Sequence, residues 1–417
     1  ASSTQYRACC TFLTTKETKQ VKILCIHQNF PGQFRDIAPA LVGRGHEVRA
    51  ICSHVKPVND KIKTYRYEYK QKECSGIHQL TKEVDEWIHR SELAAEQANL
   101  LKGQGWAPDV ILGHPGWGET LLLKRIYPSS ALVLWPELWL GPTQLGQTDA
   151  SMTLQQWHYL QNKNSLVELS LSQAQTAMLP TQFQADSFPK RLQNKIKVLH
   201  EGVEETMFQN QRINRLTLTP ELTLGEDTPV VTYISRNLEP MRGFPTFMRS
   251  LVRLQALNKR VHIVIVGGDG VSYSSASDDG RSWKDILLHE LEGQIDLTRI
   301  HFFPRIPHEQ LIKLYLRSDL HVYLSSAFVL SWSLIEIMAC GTPVIGNNNA
   351  MIKELIKPGI TGALYQGDEK GLGEAIHELL KQPQKLQEWG KNSKQHIQEN
   401  YALSNTIDKL EELLRPL

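Results

Sequence analysis

Ser333 and Glu336 stand three residues apart in the stretch Phe328-Val-Leu-Ser-Trp-Ser-Leu-Ile-Glu336-Ile-Met-Ala-Cys-Gly-Thr-Pro-Val-Ile-Gly346, a spacing that reads as a capping box opening a short helix. The free backbone N–H groups and positive dipole end of such a helix attract phosphate. A nucleotide diphosphate is the natural guest, although the carboxylate of Glu336 has a plainer reading as the group that closes the box. Arg236 and Arg242 flank a second loop, between an apolar strand and a helix that Pro245 can start. A guanidinium stays charged when desolvated and its planar fork bonds two phosphate oxygens at once, so the pair could grip the same diphosphate; isolated arginines are more often simply solvated.

Gly267-Gly-Asp-Gly270 follows a strand-like run at 262–266, and missing side chains let a ligand approach the backbone there. Gly268 and Asp269 are therefore candidate donor contacts. The run lacks the Gly-x-Gly-x-x-Gly spacing of a dinucleotide site, which sets a nicotinamide-dependent dehydrogenase aside. His114 ends another strand and is crowded by Pro115-Gly-Trp-Gly118, making it a candidate catalytic group against the commoner reading of a core histidine. Glu119 and Glu137 also fall at strand ends. No Asp-x-Asp triplet occurs, the pattern that would hold a divalent metal against a diphosphate. The expectation is that arginines and helix N-termini stabilise a leaving diphosphate, with no metal or other cofactor.

These groups need a scaffold, and the order of elements supplies one. An apolar strand at 21–26, a loop through Gly32, a helix to about Leu41 and a strand at 48–52 form a β-α-β unit whose loop lies at the carboxyl end of its first strand, where open α/β sheets place ligands. Runs at 109–114, 131–135, 177–180 and 195–200 repeat the theme, giving one doubly wound domain over 21–205. Residues 206–228 read as a polar linker. A second domain over 229–390 would hold strands at 230–235, 262–266, 300–303, 321–324 and 344–345. An amphipathic helical segment at about 371–414 follows, whose part 391–417 packs back on the first domain, and residues 1–20 read as a mobile leader.

The composition of the 417 residues, 41% hydrophobic and 22% charged, allows a core too large for one domain. A formal net charge of +2, with no dominant basic stripe, argues against nucleic acid as the main partner. The six cysteines show no Cys-x-x-Cys spacing, so neither a metal framework nor a disulfide framework is indicated; Cys25 and Cys340 read as buried thiols. With no apolar run of 18 residues, the chain is expected to be cytoplasmic. The basic run Lys190, Arg191, Lys195 and Lys197 reads first as solvated surface, with peripheral contact to anionic lipid as the alternative.

Taken together, Ile26-His-Gln-Asn-Phe-Pro-Gly-Gln-Phe-Arg35, Gly45-His-Glu-Val48, Ser235-Arg-Asn-Leu-Glu-Pro-Met-Arg-Gly243, Gly267-Gly-Asp-Gly270 and Glu336-Ile-Met-Ala-Cys-Gly-Thr-Pro-Val344 resemble the retaining glycosyltransferases of family 4, over roughly residues 21–400. The resemblance implies an α/β protein of the GT-B fold, two doubly wound Rossmann-like domains facing across a cleft. It implies that Arg236 and Arg242 contact the diphosphate of a nucleotide sugar, UDP or GDP first, that Glu336 takes the ribose, and that Gly32 and His114 lie on the sugar or phosphate side. Backbone of Phe328, Val329, Leu330 and Ser331 would meet the donor sugar, and Gln33 and Glu137 a sugar, lipid or polyol acceptor. Arg242 replaces the usual Lys, and Phe328 stands where the first Glu of the family's Glu-x7-Glu motif belongs. The reaction implied is metal-independent sugar transfer to a hydroxyl with retention. The alternative drawn from Phe328 is a catalytically decayed nucleotide-sugar-binding protein with a regulatory role; an epimerase on the same fold is the third reading.

Overall fold

The computed structural model describes residues 20–70, 76, 78–145 and 147–414. The leader expected at 1–20 lies outside them except for Gln20, as do Cys9, Cys10 and Cys74. The first domain is built on seven parallel strands: β1 Lys22–Ile26, β2 Glu47–Cys52, β3 Lys63–Arg66, β4 Val110–Gly113, β5 Ala131–Leu134, β6 Thr176–Leu179 and β7 Ile196–Val198, in the order β3-β2-β1-β4-β5-β6-β7. A parallel sheet needs cover on both faces, which is why its central strands read as unbroken apolar runs. Along β1, Ile23 and Cys25 pack with Ile37 and Leu41 of the helix Ile37–Gly43. Leu24 and Ile26 point the other way, onto Ala94, Ala98 and Leu101 of the helix Lys82–Gly103 and Leu171 of the helix Leu154–Gln173. Burial pushes the Cys25 thiol up to about 12.

The second domain repeats the plan. After a hairpin of β8 Leu216–Thr219 and β9 Leu222–Leu224 come β10 Val230–Asn237, β11 His262–Gly268, β12 Ile300–Phe303, β13 Leu320–Tyr323, β14 Val344–Asn347 and β15 Ala363–Tyr365, in the order β12-β11-β10-β13-β14-β15. In both sheets the order reverses beside the first strand, opening a crevice at the strands' carboxyl ends. Those two crevices face each other across the cleft, the doubly wound pair that the resemblance implies.

Two expectations are corrected. The linker at 206–228 contains the hairpin just named. Leu216, Leu218, Leu222 and Leu224 alternate with threonines around a turn at Pro220 and Glu221, a period of two, and Leu216 and Leu224 join Val230 and Leu314 in the second domain's core. The tail is not one helical run but three helices, Glu369–Leu380, Pro383–Tyr401 and Leu403–Leu414, with Pro383 at the first position of the second, where its missing N–H costs nothing. The last of them does return to the first domain. Leu403, Ile407, Leu410 and Leu414 fill its core beside Ile37 and Leu41, and Glu411 meets His46 at 3.0 Å. The chain crosses between domains twice, side by side: Val203 N–H donates to the Tyr401 carbonyl and Leu403 N–H to the Val203 carbonyl, each at 2.8 Å. Among the described residues, no helix is long and apolar enough to cross a membrane.

Candidate active site

The cleft holds a cavity of about 590 Å³ whose walls carry Gly32, Gln33 and Glu137 from the first domain and Arg236, Arg242, Val329, Leu330 and Ser331 from the second. Arg236 lies near the carboxyl end of β10; it is exposed to the cavity and has no hydrogen-bond partner among the described residues. Its charge reaches across the cleft: burial raises the Glu137 carboxyl, and Arg236 draws it back down. The Glu137 side chain is itself open to the cavity.

Arg242 is held from three sides. Its Nη1 donates to Ser325 Oγ at 2.7 Å, Tyr273 lies 4.8 Å beneath the guanidinium, and its carbonyl accepts from the Tyr233 hydroxyl at 2.7 Å. Gly243 follows in the left-handed region at φ +73°, where a Cβ would stand 2.1 Å from the Leu324 carbonyl oxygen. Only glycine lets the loop turn this close to β13 before the helix Phe244–Leu257 begins.

The helix Trp332–Ala339 is capped two residues earlier than its sequence implies. Ser331 is the N-cap, its Oγ accepting from Ser333 N–H at 3.3 Å, and its tip faces the cavity. Glu336 therefore lies in the second turn and closes no capping box. Its carboxylate meets Arg35 of the first domain at 3.4 Å and His308 at 3.3 Å, while the Arg35 guanidinium sits 4.5 Å over the Trp332 ring. Glu336 lines a second cavity of about 580 Å³, which adjoins the first at His200 and Trp332, common to both walls. The bond to Glu336 raises the His308 pKa.

Five other candidates are off the central wall. His114 is buried behind Trp117, stacked on it with ring centroids 4.2 Å apart, and burial keeps its imidazole neutral. Asp269 is exposed and pairs with Lys284 at 2.8 Å. Gly268 gives room to Asn237, whose Oδ1 would lie 2.7 Å from an added Cβ; the glycine run serves the packing of β11 against the Arg236 loop. Phe328 packs on Tyr273 with centroids 5.0 Å apart. Glu119, buried, accepts from the Tyr67 hydroxyl at 2.6 Å in the core.

The sequence reading passed over His27, Trp117, Trp135, Tyr273 and Glu201, all on the cavity wall. His27 had a signal: Gly32, at φ +49°, is the one residue that fits, since a Cβ there would stand 2.2 Å from the imidazole Nε2. Burial pushes that imidazole down to about 4. Tyr273 had none, because it is placed by a distant carboxylate. Glu239 is wholly buried, and its Oε2 accepts from the backbone N–H groups of Ser272, Tyr273 and Ser274, each at 2.9 Å. Glu239→Ala leaves three amides without their acceptor and frees Tyr273 from Arg242. We expect the donor KM to rise about tenfold, the worth of about 1.4 kcal/mol, with kcat changed less; steady-state kinetics checks this, and an unaltered KM would show that the loop holds its place without Glu239.

Among the described residues, no group of three or more His, Cys, Asp or Glu side chains is placed to hold a metal ion. The arrangement offers instead two guanidinium groups and a helix N-terminus on one wall, with carboxyl groups on the other.

Residues 44–208 match the family described as glycosyl transferase family 4 group, and residues 215–396 match glycosyl transferases group 1. The chain belongs to the family 4, group 1 glycosyltransferases. Among curated relatives, this glycosyltransferase is 27% identical over 226 residues to a D-inositol 3-phosphate glycosyltransferase of Rhodococcus jostii, covering 53% of the chain and 47% of the relative. A namesake from Mycobacterium bovis is 29% identical over 189 residues, 45% of this chain and 36% of that one. The chain thus spans about half or less of the length of these relatives. In fold, the glycosyltransferase superposes on sucrose-phosphate synthase from Thermosynechococcus elongatus with a TM-score of 0.70, at 17% identity over 95% of this chain and 99% of the other. It superposes on Anabaena HepE, solved with UDP and glucose, with a TM-score of 0.67 at 18% identity, over 95% of this chain and all of HepE. The fold of this glycosyltransferase is GT-B.

Proposed function

We propose that this glycosyltransferase moves a sugar from a nucleotide diphosphate to an acceptor hydroxyl, with retention at the anomeric carbon and without a metal ion. The observation that carries the reading is the convergence of Arg236, Arg242 and the N-terminus of the helix Trp332–Ala339 on one wall of the central cavity. As the bond between C1 and the phosphate oxygen breaks, its electron pair passes to that oxygen, and these groups stabilise the charge in a cleft of low dielectric. The acceptor oxygen bonds to C1 from the same face, and its proton goes to the departing phosphate. Glu336, held by Arg35 and His308, is the ribose contact in the adjoining cavity, so a bound nucleotide spans both cavities past Trp332.

UDP is the base expected first, since HepE was solved with it, with GDP second. A polyol or sugar is the acceptor expected first, by likeness to the inositol phosphate relatives. The test is nucleotide release from UDP-, GDP- and ADP-sugars in chelator, with and without pooled sugar, polyol and lipid acceptors. Acceptor-dependent release is expected. Release in the absence of acceptor would favour an epimerase or hydrolase, and tight donor binding with no release would favour the regulatory binding protein that Phe328 raises.

A further inference from the structure

Glu201 takes no part in the chemistry above, yet it stands on the wall of the central cavity, just ahead of Val203, where the chain first crosses between domains. Its side chain is 9% exposed, and its Oε2 is buried with no hydrogen-bond partner among the described residues. The imidazole of His200 is 3.5 Å from that oxygen, but burial pushes this ring down to about 3 and keeps it neutral. The other charged groups bearing on Glu201 are Glu137 on the same cavity and Asp36 at the start of the helix Ile37–Gly43, both acidic. The nearby cations are engaged elsewhere: Arg35 pairs with Asp36 and Glu336, and Arg236 acts on Glu137. Among the described residues no cation compensates a negative charge on Glu201; the Trp332 side chain and a backbone N–H favour the carboxylate, but burial outweighs them, and a buried carboxylate without a counter-charge takes up a proton.

A protonated carboxyl offers one O–H donor beside an acceptor oxygen, the combination that a sugar hydroxyl satisfies. The diphosphate has the cationic wall of Arg236 and Arg242 to itself, while the wall that carries Glu137 and Glu201 presents no cation to an anion. Resting on the nucleotide-sugar reading, we propose that Glu201 acts as a neutral carboxylic acid whose O–H is donated to a hydroxyl oxygen of the donor's sugar, making it a specificity-determining residue of the sugar subsite. Burial, with Glu137 and Asp36 adding to it, pushes its carboxyl up to about 8, so the acid form prevails at pH 7 and is lost as pH rises through that value.

The experiment titrates the full chain and its Glu201→Gln and Glu201→Ala variants with UDP and with UDP-glucose at pH 7 and pH 9. Wild-type affinity for UDP-glucose is expected to fall about tenfold between the two, because a group titrating near 8 is about ten parts ionised to one at pH 9, while affinity for UDP changes much less. The glutamine variant, whose amide still donates, should bind UDP-glucose within about threefold of wild type at pH 7 and lose no more by pH 9; the alanine variant should be about tenfold weaker at both. An equal fall for UDP would move the hydrogen bond to the diphosphate and overturn the sugar assignment. The same fall in the glutamine variant would overturn the role of Glu201. If the wild type binds neither ligand, the UDP-sugar reading fails on its own terms. The infrared band of a protonated carboxyl still decides about Glu201: present at pH 7 and missing from the glutamine variant, it supports the acid; absent from the wild type, it overturns it.

Discussion

Arg236→Ala is expected to lower kcat by about two orders of magnitude while leaving the melting temperature almost unchanged. The first half follows from what the guanidinium faces. It is exposed to the cavity and has no hydrogen-bond partner among the described residues, so its donors are free for the charge that develops on the leaving phosphate. Loss of one such transition-state donor costs about 2.7 to 4 kcal/mol of activation free energy. The second half follows from the same fact, because truncation strands no buried partner, and surface changes of that kind shift stability by about 0.5 kcal/mol or less. Arg236→Lys keeps the charge but loses the planar fork and should fall between the two. There is also a pH signature. Arg236 pulls the Glu137 carboxyl down against burial; without it the Glu137 pKa rises, so any activity that needs the Glu137 carboxylate has its acid limb moved to higher pH. An undiminished kcat would remove Arg236 from the chemistry.

Gly243→Ala should cost stability as well as function. A residue with a Cβ is strained by about 1 to 2 kcal/mol at a φ of +73°, and here the Cβ would also be driven to 2.1 Å from the Leu324 carbonyl oxygen, a distance at which backbone must move. We expect a total of about 3 kcal/mol or more, read from denaturant unfolding. Gly280→Ala is the control. That glycine has a φ of +74° but nothing within 4 Å of an added Cβ, so it carries the strain without the collision. Surviving Gly243→Ala protein should show a raised donor KM, since Ser325, which follows Leu324, is the hydrogen-bond partner of Arg242. Equal losses in the two variants would mean that the approach to Leu324 contributes nothing.

The sheets were legible because parallel strands buried on both faces leave apolar runs that no surface segment imitates, as at Ile23 to Ile26. The helix Lys82–Gly103 was missed because the face it buries carries Ser91, Ala94, Ala95 and Ala98 around Trp87 and Leu101, too little apolar contrast to stand out. That the two arginines reach the cavity could be read from loops that follow strands, since that position fixes where a side chain emerges, whereas the helix tip was read two residues late, at Ser333, because Ser333 and Glu336 have the spacing of a capping box. The partners of Glu336 could not be read, since Arg35 and His308 are brought to it by the meeting of two domains and by another helix. His114 and Asp269 lie off the cavity wall for one reason: a strand end says that a residue reaches the crevice edge, not whether Trp117 covers it or Lys284 draws it outward.

The return of the helix Leu403–Leu414 to the first domain also bears on how the chain is made. The first domain cannot complete its core at Ile37 and Leu41 until residues 403–414 arrive, and those residues leave the ribosome after the entire second domain. Its hydrophobic groove must wait through most of synthesis, open to chaperones or to misplaced neighbours, so the protein cannot follow the usual route in which the N-terminal domain folds first and independently.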